Sequence, residues 1–415
     1  APRAVDAPAI AIDLGTTTIA ASLIDTRTGE TLASLSALNA QRAYGADILS
    51  RIDESLADAS LLAGIIRAQL ASIIQRLLTG AAPQSPLKLY ISGNTTMSYL
   101  LLGLPCRSLA SAPFRPEFPI AERYAGRDIF PDAAHLADPA HATPIADILQ
   151  AAEVYVLPYL SAFVGGDILS GLLTLPPDED WLFVDLGTNG EMVLQKDGKR
   201  TGTSAAAGPA FEGGGISCGM GGLPGAIYEL SPTDATAPGA LSLRYKTIDG
   251  LPPEGLCGSG ILDAMAVLLA SGTIDRTGAF TVPAKDNQIL IAEHAAPVKQ
   301  IYLTQKDVRV FQLSKGAIRA GIEVLCAEAG GLPEKIHLAG GFGQALRPES
   351  AITTGLLPVE ARGRITSLGN TSLIGAIMLA KGQAPWPPQQ EIPFREIILA
   401  EHPQFNDLFI KHMEF

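Results

Sequence analysis

Apolar runs that stop abruptly at turn residues alternate along this chain with longer runs at helical spacing. Near the start, Ala9-Ile10-Ala11-Ile12 reads as a buried strand that leads straight into Asp13-Leu14-Gly15-Thr16-Thr17-Thr18. Ile19 to Asp25 continues as a second strand, Thr26 to Glu30 turns the chain, and Thr31 to Leu38 returns as a third. The same order recurs midway: Leu182-Phe183-Val184, then Asp185-Leu186-Gly187-Thr188-Asn189, then a hairpin of Glu191 to Gln195 and Arg200 to Ser204. Helical spacing predicts a helix over Ser60 to Leu78, with Leu62, Ile66, Leu70, Ile73 and Leu77 on its packed stripe. Another helix follows Gly45, and in it Asp47 and Arg51 stand at i and i+4, where they are expected to pair on a solvated face.

Leu87 to Ser92 reads as a strand ending at Gly93-Asn94-Thr95, residues suited to an N-cap or to a ligand. Further helices are expected over Ile168 to Leu175, Ile261 to Ala270 and Asn370 to Leu379. A helix over Leu313 to Ala329 would bury Cys326, and Thr304 would cap a helical opening before it. The proline-rich stretch from 104 to 147, with His135 and His141, reads as an irregular surface excursion. Pro176-Pro177-Asp178-Glu179-Asp180 breaks the pattern and marks a boundary. The expected units are 1–177, 178–388 and a tail, 389–415, carrying an exposed strand from Glu396 to Leu399.

Strands alternating with helices, twice over, make this an α/β chain, and 415 residues suffice for two cores. The formal charge of −12 disfavours nucleic acid and anionic membranes and leaves proteins and small molecules as partners. Cys106, Cys218, Cys257 and Cys326 lie far apart with no Cys-x-x-Cys pair, so they give no zinc or iron–sulfur spacing; reduced thiols and a cytoplasmic location are expected. Pro2, Arg3, Asp6 and Pro8 interrupt any secretory apolar core. The greasy stretch from Val154 to Leu175 holds Asp167 and glycines and is flanked by prolines, so it reads as strand, turn and buried helix rather than a membrane span.

The chemistry concentrates where strands end. An Asp at a strand terminus, followed by Gly and Thr, sets a carboxylate beside backbone N–H groups and hydroxyls; the donors suit phosphate oxygens and the carboxylate suits Mg²⁺ or its waters. One such turn is equally a plain hairpin turn, but two copies in equivalent places argue for phosphate binding. The candidates are Asp13 and Asp185 for metal and catalysis, with Gly15, Thr16, Thr17, Thr18, Gly187, Thr188 and Asn189 for the phosphates. The glycine-dense run from 205 to 222 adds Gly208, Phe211 and Glu212, whose carboxylate could accept ribose hydroxyls. Gly340, Gly341, Phe342 and Gly343 follow a late strand, where paired glycines let backbone lie flat against a nucleotide. Neither a P-loop nor a Gly-x-Gly-x-x-Gly fingerprint is present.

The two acidic turns and the late glycine strand resemble the phosphate-1, phosphate-2 and adenosine loops of the actin, Hsp70 and sugar kinase superfamily. That resemblance implies a duplicated, ribonuclease H-like fold whose two α/β halves hold ATP in a cleft between them. Eight short motifs in order narrow it further: Gly93 to Met97, Phe163 to Asp167, Asp185 to Glu191, Ala206 to Gly213, Ile216 to Met220, Cys257 to Gly260, Thr304 to Arg309 and Leu338 to Gly343. Together they resemble the C-terminal ATPase domain of the reductive activators of corrinoid-dependent enzymes. The resemblance implies ATP and Mg²⁺ as cofactors and ATP-driven reduction of a Co(II) corrinoid to Co(I). It also implies a partner corrinoid protein of a methyltransferase system, and it leaves a homodimer open. Family members usually carry an N-terminal [2Fe–2S] domain. This chain opens almost at the first acidic turn and offers no iron–sulfur cluster ligands, so the electron is expected from a ferredoxin-type domain or protein outside it. Two other readings share the fold: a sugar or carboxylate kinase, for which Asp47 would be the acceptor-facing acid, and a chaperone-like ATPase module.

Overall fold

The computed structural model describes residues 3–45, 47–132, 145–233, 242–281, 287–295, 298–340, 346–386 and 393–415. They fall into two compact units: Ala1–Pro177 with Thr371–Glu391, and Asp178–Asn370 with Ile392–Phe415. The unit boundary after Pro177 lies at the double proline. The returning segments differ from the expected division: Thr371–Glu391 groups with the first unit, and the C-terminal stretch groups with the second rather than standing apart. The expected cut after residue 388 lies outside the described residues.

The first unit is built on a six-stranded sheet in the order Glu30–Leu38, Thr18–Asp25, Pro8–Leu14, Lys88–Gly93, Glu153–Val156, Tyr124–Ala125. Pro8–Leu14 is antiparallel to Thr18–Asp25 and parallel to Lys88–Gly93, which places Asp13 beside Ser92. Because this strand is central, both its faces are apolar. Ile10, Ile12 and Leu14 pack in one core with the Ala59–Leu77 helix, while Ala9 and Ala11 pack in another with the helix Thr371–Ala380. The small residues of that second helix have a steric purpose: a Cβ on Gly375 would lie 2.0 Å from the Ser170 carbonyl oxygen. Only a glycine lets this helix approach the Gly166–Leu172 helix so closely.

The second unit repeats the plan. Its six-stranded sheet runs Ile365–Gly369, Lys335–Ala339, Trp181–Leu186, Gly190–Lys196, Lys199–Ala205, Phe394–Glu396. Trp181–Leu186 is again antiparallel to the strand after it and parallel to a later one, so Asp185 lies beside Ala339. Leu182, Val184 and Leu186 pack against the long helix Gln305–Ala329 through Ile318, Ile322 and Leu325. The expected break in that helix is absent. Thr304 caps it with a reciprocal capping box, its Oγ1 accepting from the Asp307 N–H while Asp307 Oδ2 accepts from the Thr304 N–H, and Gly330 ends it at φ +80°. Cys326 is only partly covered. Among the described residues, no single helix is long and apolar enough to cross a membrane.

Several expectations shift. Asp47 does not pair with Arg51: its carboxylate caps the helix Ile48–Ala57 by accepting from the Ser50 N–H at 2.8 Å, and Arg51 is wholly buried. The expected exposed tail strand from Glu396 to Leu399 does not form: the strand is Phe394–Glu396, paired parallel to Lys199–Ala205, and Leu399–Glu401 is a short helix. After it the helix Phe405–Met413 packs on Gln305–Ala329, and Phe415 stacks on Phe311 with ring centroids 6.1 Å apart. His135 and His141 lie outside the described residues.

Candidate functional site

In the first unit the acidic turn is laced down by side chains from four places in the sequence. Asp13 Oδ1 accepts from Ser372 Oγ at 2.7 Å, and with that proton committed, Ser92 Oγ donates to Ser372 Oγ at 2.7 Å. The turn closes on itself through the Gly15 N–H donating to the Thr18 carbonyl at 3.1 Å. Asn39 Nδ2 donates to the Gly15 carbonyl and the Asn39 N–H to the Thr17 carbonyl, both at 2.9 Å. Arg51 Nη2 donates to the Thr16 carbonyl at 2.6 Å, and Asn94 Nδ2 donates to Thr16 Oγ1 at 3.0 Å. Gly15 is required sterically, since a Cβ there would lie 2.5 Å from the Thr18 carbonyl oxygen.

Beside Asp13 stands Asp167, at the start of the Gly166–Leu172 helix. Loss of hydration pushes its carboxyl up to about 7, although the Ile168 N–H donates to its Oδ1 at 2.8 Å; the charge of Asp13 adds to the rise.

In the second unit Asp185, next to last in its strand, lies opposite Glu191, and the Gly187 N–H donates to the Asn189 carbonyl at 2.9 Å. Thr188 Oγ1 donates to Glu212 Oε2 at 2.6 Å, which brings the second acidic turn and the glycine-dense run together. Gly208, at φ +77°, opens the short helix Pro209–Glu212, and Gly213, at φ +82°, closes it. Phe211 is 1% exposed and meets Phe311 edge-on at 5.8 Å, so its ring anchors the run in the core while Glu212 is half-buried beside it. Gly340 follows the Lys335–Ala339 strand at φ +110°, where a Cβ would lie 2.3 Å from the Leu186 carbonyl oxygen. Thus Asp185, Thr188, Glu212 and Gly340 cluster at one end of this sheet. Gly341, Phe342 and Gly343 lie outside the described residues. Among the described residues no group of three or more His, Cys, Asp or Glu side chains could hold a metal by itself.

Residues 179–415 match the family model for the C-terminal, ASKHA domain of RACo, and residues 8–178 match the RACo middle region. The chain belongs to the RACo family. Among curated relatives it is 34% identical over 405 residues to the corrinoid activation enzyme RamQ of Eubacterium limosum, covering 90% of this chain and 65% of that protein. It is 29% identical over 389 residues to a Co(II) methylated amine-specific corrinoid protein reductase of Methanosarcina barkeri, covering 88% of this chain and 68% of that one. A solved structure of a reductive activator for a corrinoid, iron–sulfur protein superposes with a TM-score of 0.82 at 30% identity, over 99% of this chain and 66% of that chain. The chain therefore spans just under two thirds of RamQ and of the solved activator.

For this RACo-family chain, the duplicated sheets and the ASKHA match agree on an actin-like, sugar-kinase-like fold. Sequence reasoning did not single out Ser372, Asn39, Arg51 or Asp167 as site residues. Asp167 alone had a local signal, its place after Gly165-Gly166 at a strand-to-helix junction. Ser372 had none, because its helix is 359 positions from Asp13.

Proposed function

We propose that this chain is the ATPase module of a reductive activator, binding MgATP through the acidic turns of both units and coupling hydrolysis to reduction of a Co(II) corrinoid protein to Co(I). The observation that carries the reading is the repeated strand, Asp-Leu-Gly-Thr turn and hairpin at the centre of each sheet, in a chain of the RACo family. The magnesium ion would supply charge neutralisation for the phosphates. Asp13, fixed by Ser372, and Asp185 would take that ion or its waters. Thr16 to Thr18 and Gly187 to Asn189 would offer donors to phosphate oxygens, and Glu212, with Gly208 and the glycines after Ala339, would hold the nucleoside. Such catalysis rests on positioning and on charge stabilisation rather than on a covalent step.

The electron would come from a [2Fe–2S] domain or protein beyond these residues, and the partner would be a corrinoid protein of a methyltransferase system. Differential affinity for the Co(II) and Co(I) forms is what would link the nucleotide cycle to an uphill reduction. The test is ATP turnover with and without a corrinoid protein poised as Co(II). Stimulation is expected; equal turnover in both would count heavily against the coupling, and stimulation by a sugar or carboxylate instead would make the chain a kinase.

A further inference from the structure

We infer that Arg51 and Asn39 are positioning residues that prepare the first acidic turn for phosphate, an inference that rests on the phosphate-binding reading above. A peptide turn carries as many acceptors as donors, so it attracts an anion only when its carbonyl oxygens are directed elsewhere. From Gly15 to Thr18 every carbonyl has a protein donor. Asn39 Nδ2 takes Gly15, Arg51 Nη2 takes Thr16, the Asn39 N–H takes Thr17, and the Gly15 N–H takes Thr18. Two side chains, brought from outside the turn, therefore decide which polarity it presents.

Arg51 does more than donate. Its side chain is fully buried, with Nε on the Gly45 carbonyl at 3.0 Å, Nη2 on Thr16 and Nη1 3.3 Å from Met97 Sδ. Each of its three nitrogens thus has a partner, but carbonyls and a thioether carry no countercharge. Asp47, the acid one helical turn earlier, makes no ion pair with Arg51, its Oδ1 accepting from the Ser50 N–H and hydroxyl, and its charge acts on the guanidinium only through space. Burial draws the guanidinium down to about 10, still charged at neutral pH. A buried cation under a turn whose carbonyls are occupied favours an anion on the turn's outer side. Asn39, 1% exposed, is equally over-determined: its Oδ1 accepts from the Gln41 N–H at 2.9 Å while its Nδ2 holds Gly15.

The experiment compares binding of MgATP and of adenosine to the full chain and to Arg51→Met, Arg51→Lys and Asn39→Ala, with thermal unfolding of each. Arg51→Met is expected to weaken MgATP at least tenfold with adenosine affinity unchanged, Arg51→Lys to recover part of the loss because it restores charge without the fork, and Asn39→Ala to weaken MgATP about fivefold. Should Arg51→Met fail to fold, Arg51→Lys and Asn39→Ala decide. Folded variants with parental MgATP affinity would overturn the inference, as would equal losses for MgATP and adenosine, which mark a merely structural role. Asp13→Ala separates the two layers. If it loses MgATP while the Arg51 and Asn39 variants do not, only this inference falls; if the parent chain itself does not bind MgATP, the phosphate reading falls with it.

Discussion

The same four residues, Asp-Leu-Gly-Thr, stand at the same place in two sheets that share five strands in the same order and differ in the sixth, yet their surroundings differ. Around Asp13 the turn is pinned by Asn39, Arg51, Asn94 and Ser372, drawn from a loop, a helix, a cap and a distant helix. Around Asp185 the described ties include two local ones, Gly187 to Asn189, and Thr188 to Glu212 in the next loop. Gly15 has no room for a Cβ, whereas a Cβ on Gly187 would have only the Asn189 carbonyl oxygen near it, at 3.7 Å. A repeated tetrapeptide thus fixes the bend and the carboxylate, but its rigidity is set by neighbours that the repeat does not contain.

The contrast can be broken most decisively at the carboxylates. If both turns serve one MgATP, Asp13→Ala and Asp185→Ala should each lower the turnover number by about 10²-fold or more, and the double variant should be little worse than either single one. Additive losses in steady-state hydrolysis would mean that the turns act separately. Next come the glycines. Gly15→Ala should destabilise the fold by about 1–3 kcal/mol through overpacking, while Gly187→Ala should stay within about 0.5 kcal/mol; urea unfolding of the two variants measures the difference.

The buried cations sharpen the comparison by pH. Burial draws Lys315, 1% exposed in the second unit, down to about 8 from an ordinary value of 10.5. Between those values the unfolded chain holds a proton that the folded chain does not, so stability should rise with pH from about 8 to 10.5, by about 1–3 kcal/mol. Arg51 stays charged through most of that window, so Lys315→Met should remove the rise in urea midpoint between pH 7.5 and 9.5 while Arg51→Lys should not. Smallest is Ser372→Ala, which removes one donor from Asp13 and should cost about 1 kcal/mol with a few-fold loss of turnover.

Strand termini, turns and the boundary after Pro177 were legible because each is written locally, in period-two or apolar runs that stop at Gly, Thr or Pro. Arg51 was misread for a physical reason: an Asp four residues before an Arg looks like a solvated pair, and nothing local says that the helix turns this guanidinium inward to find the Thr16 carbonyl. The Thr371–Ala380 helix was found, but its unit was not, since small residues announce close packing without naming the partner. The edge strand Phe394–Glu396 pairs with a strand nearly two hundred positions earlier, and no periodicity within three residues reveals that. For Phe211 the sequence suggested a ligand contact, whereas a large ring flanked by glycines is also what anchors a loop, and its burial against Phe311 shows it used that way.

The donor that steadies Asp13 is translated 359 residues after the carboxylate it serves, on one of the last helices among the described residues. At synthesis speeds of roughly 5–20 residues per second, that interval lasts on the order of twenty to seventy seconds. An emerging polypeptide thus holds a half-furnished first sheet until the segment beyond residue 370 has been read, and a ribosome that stalls before Thr371 releases a product whose first acidic bend still lacks its keeper.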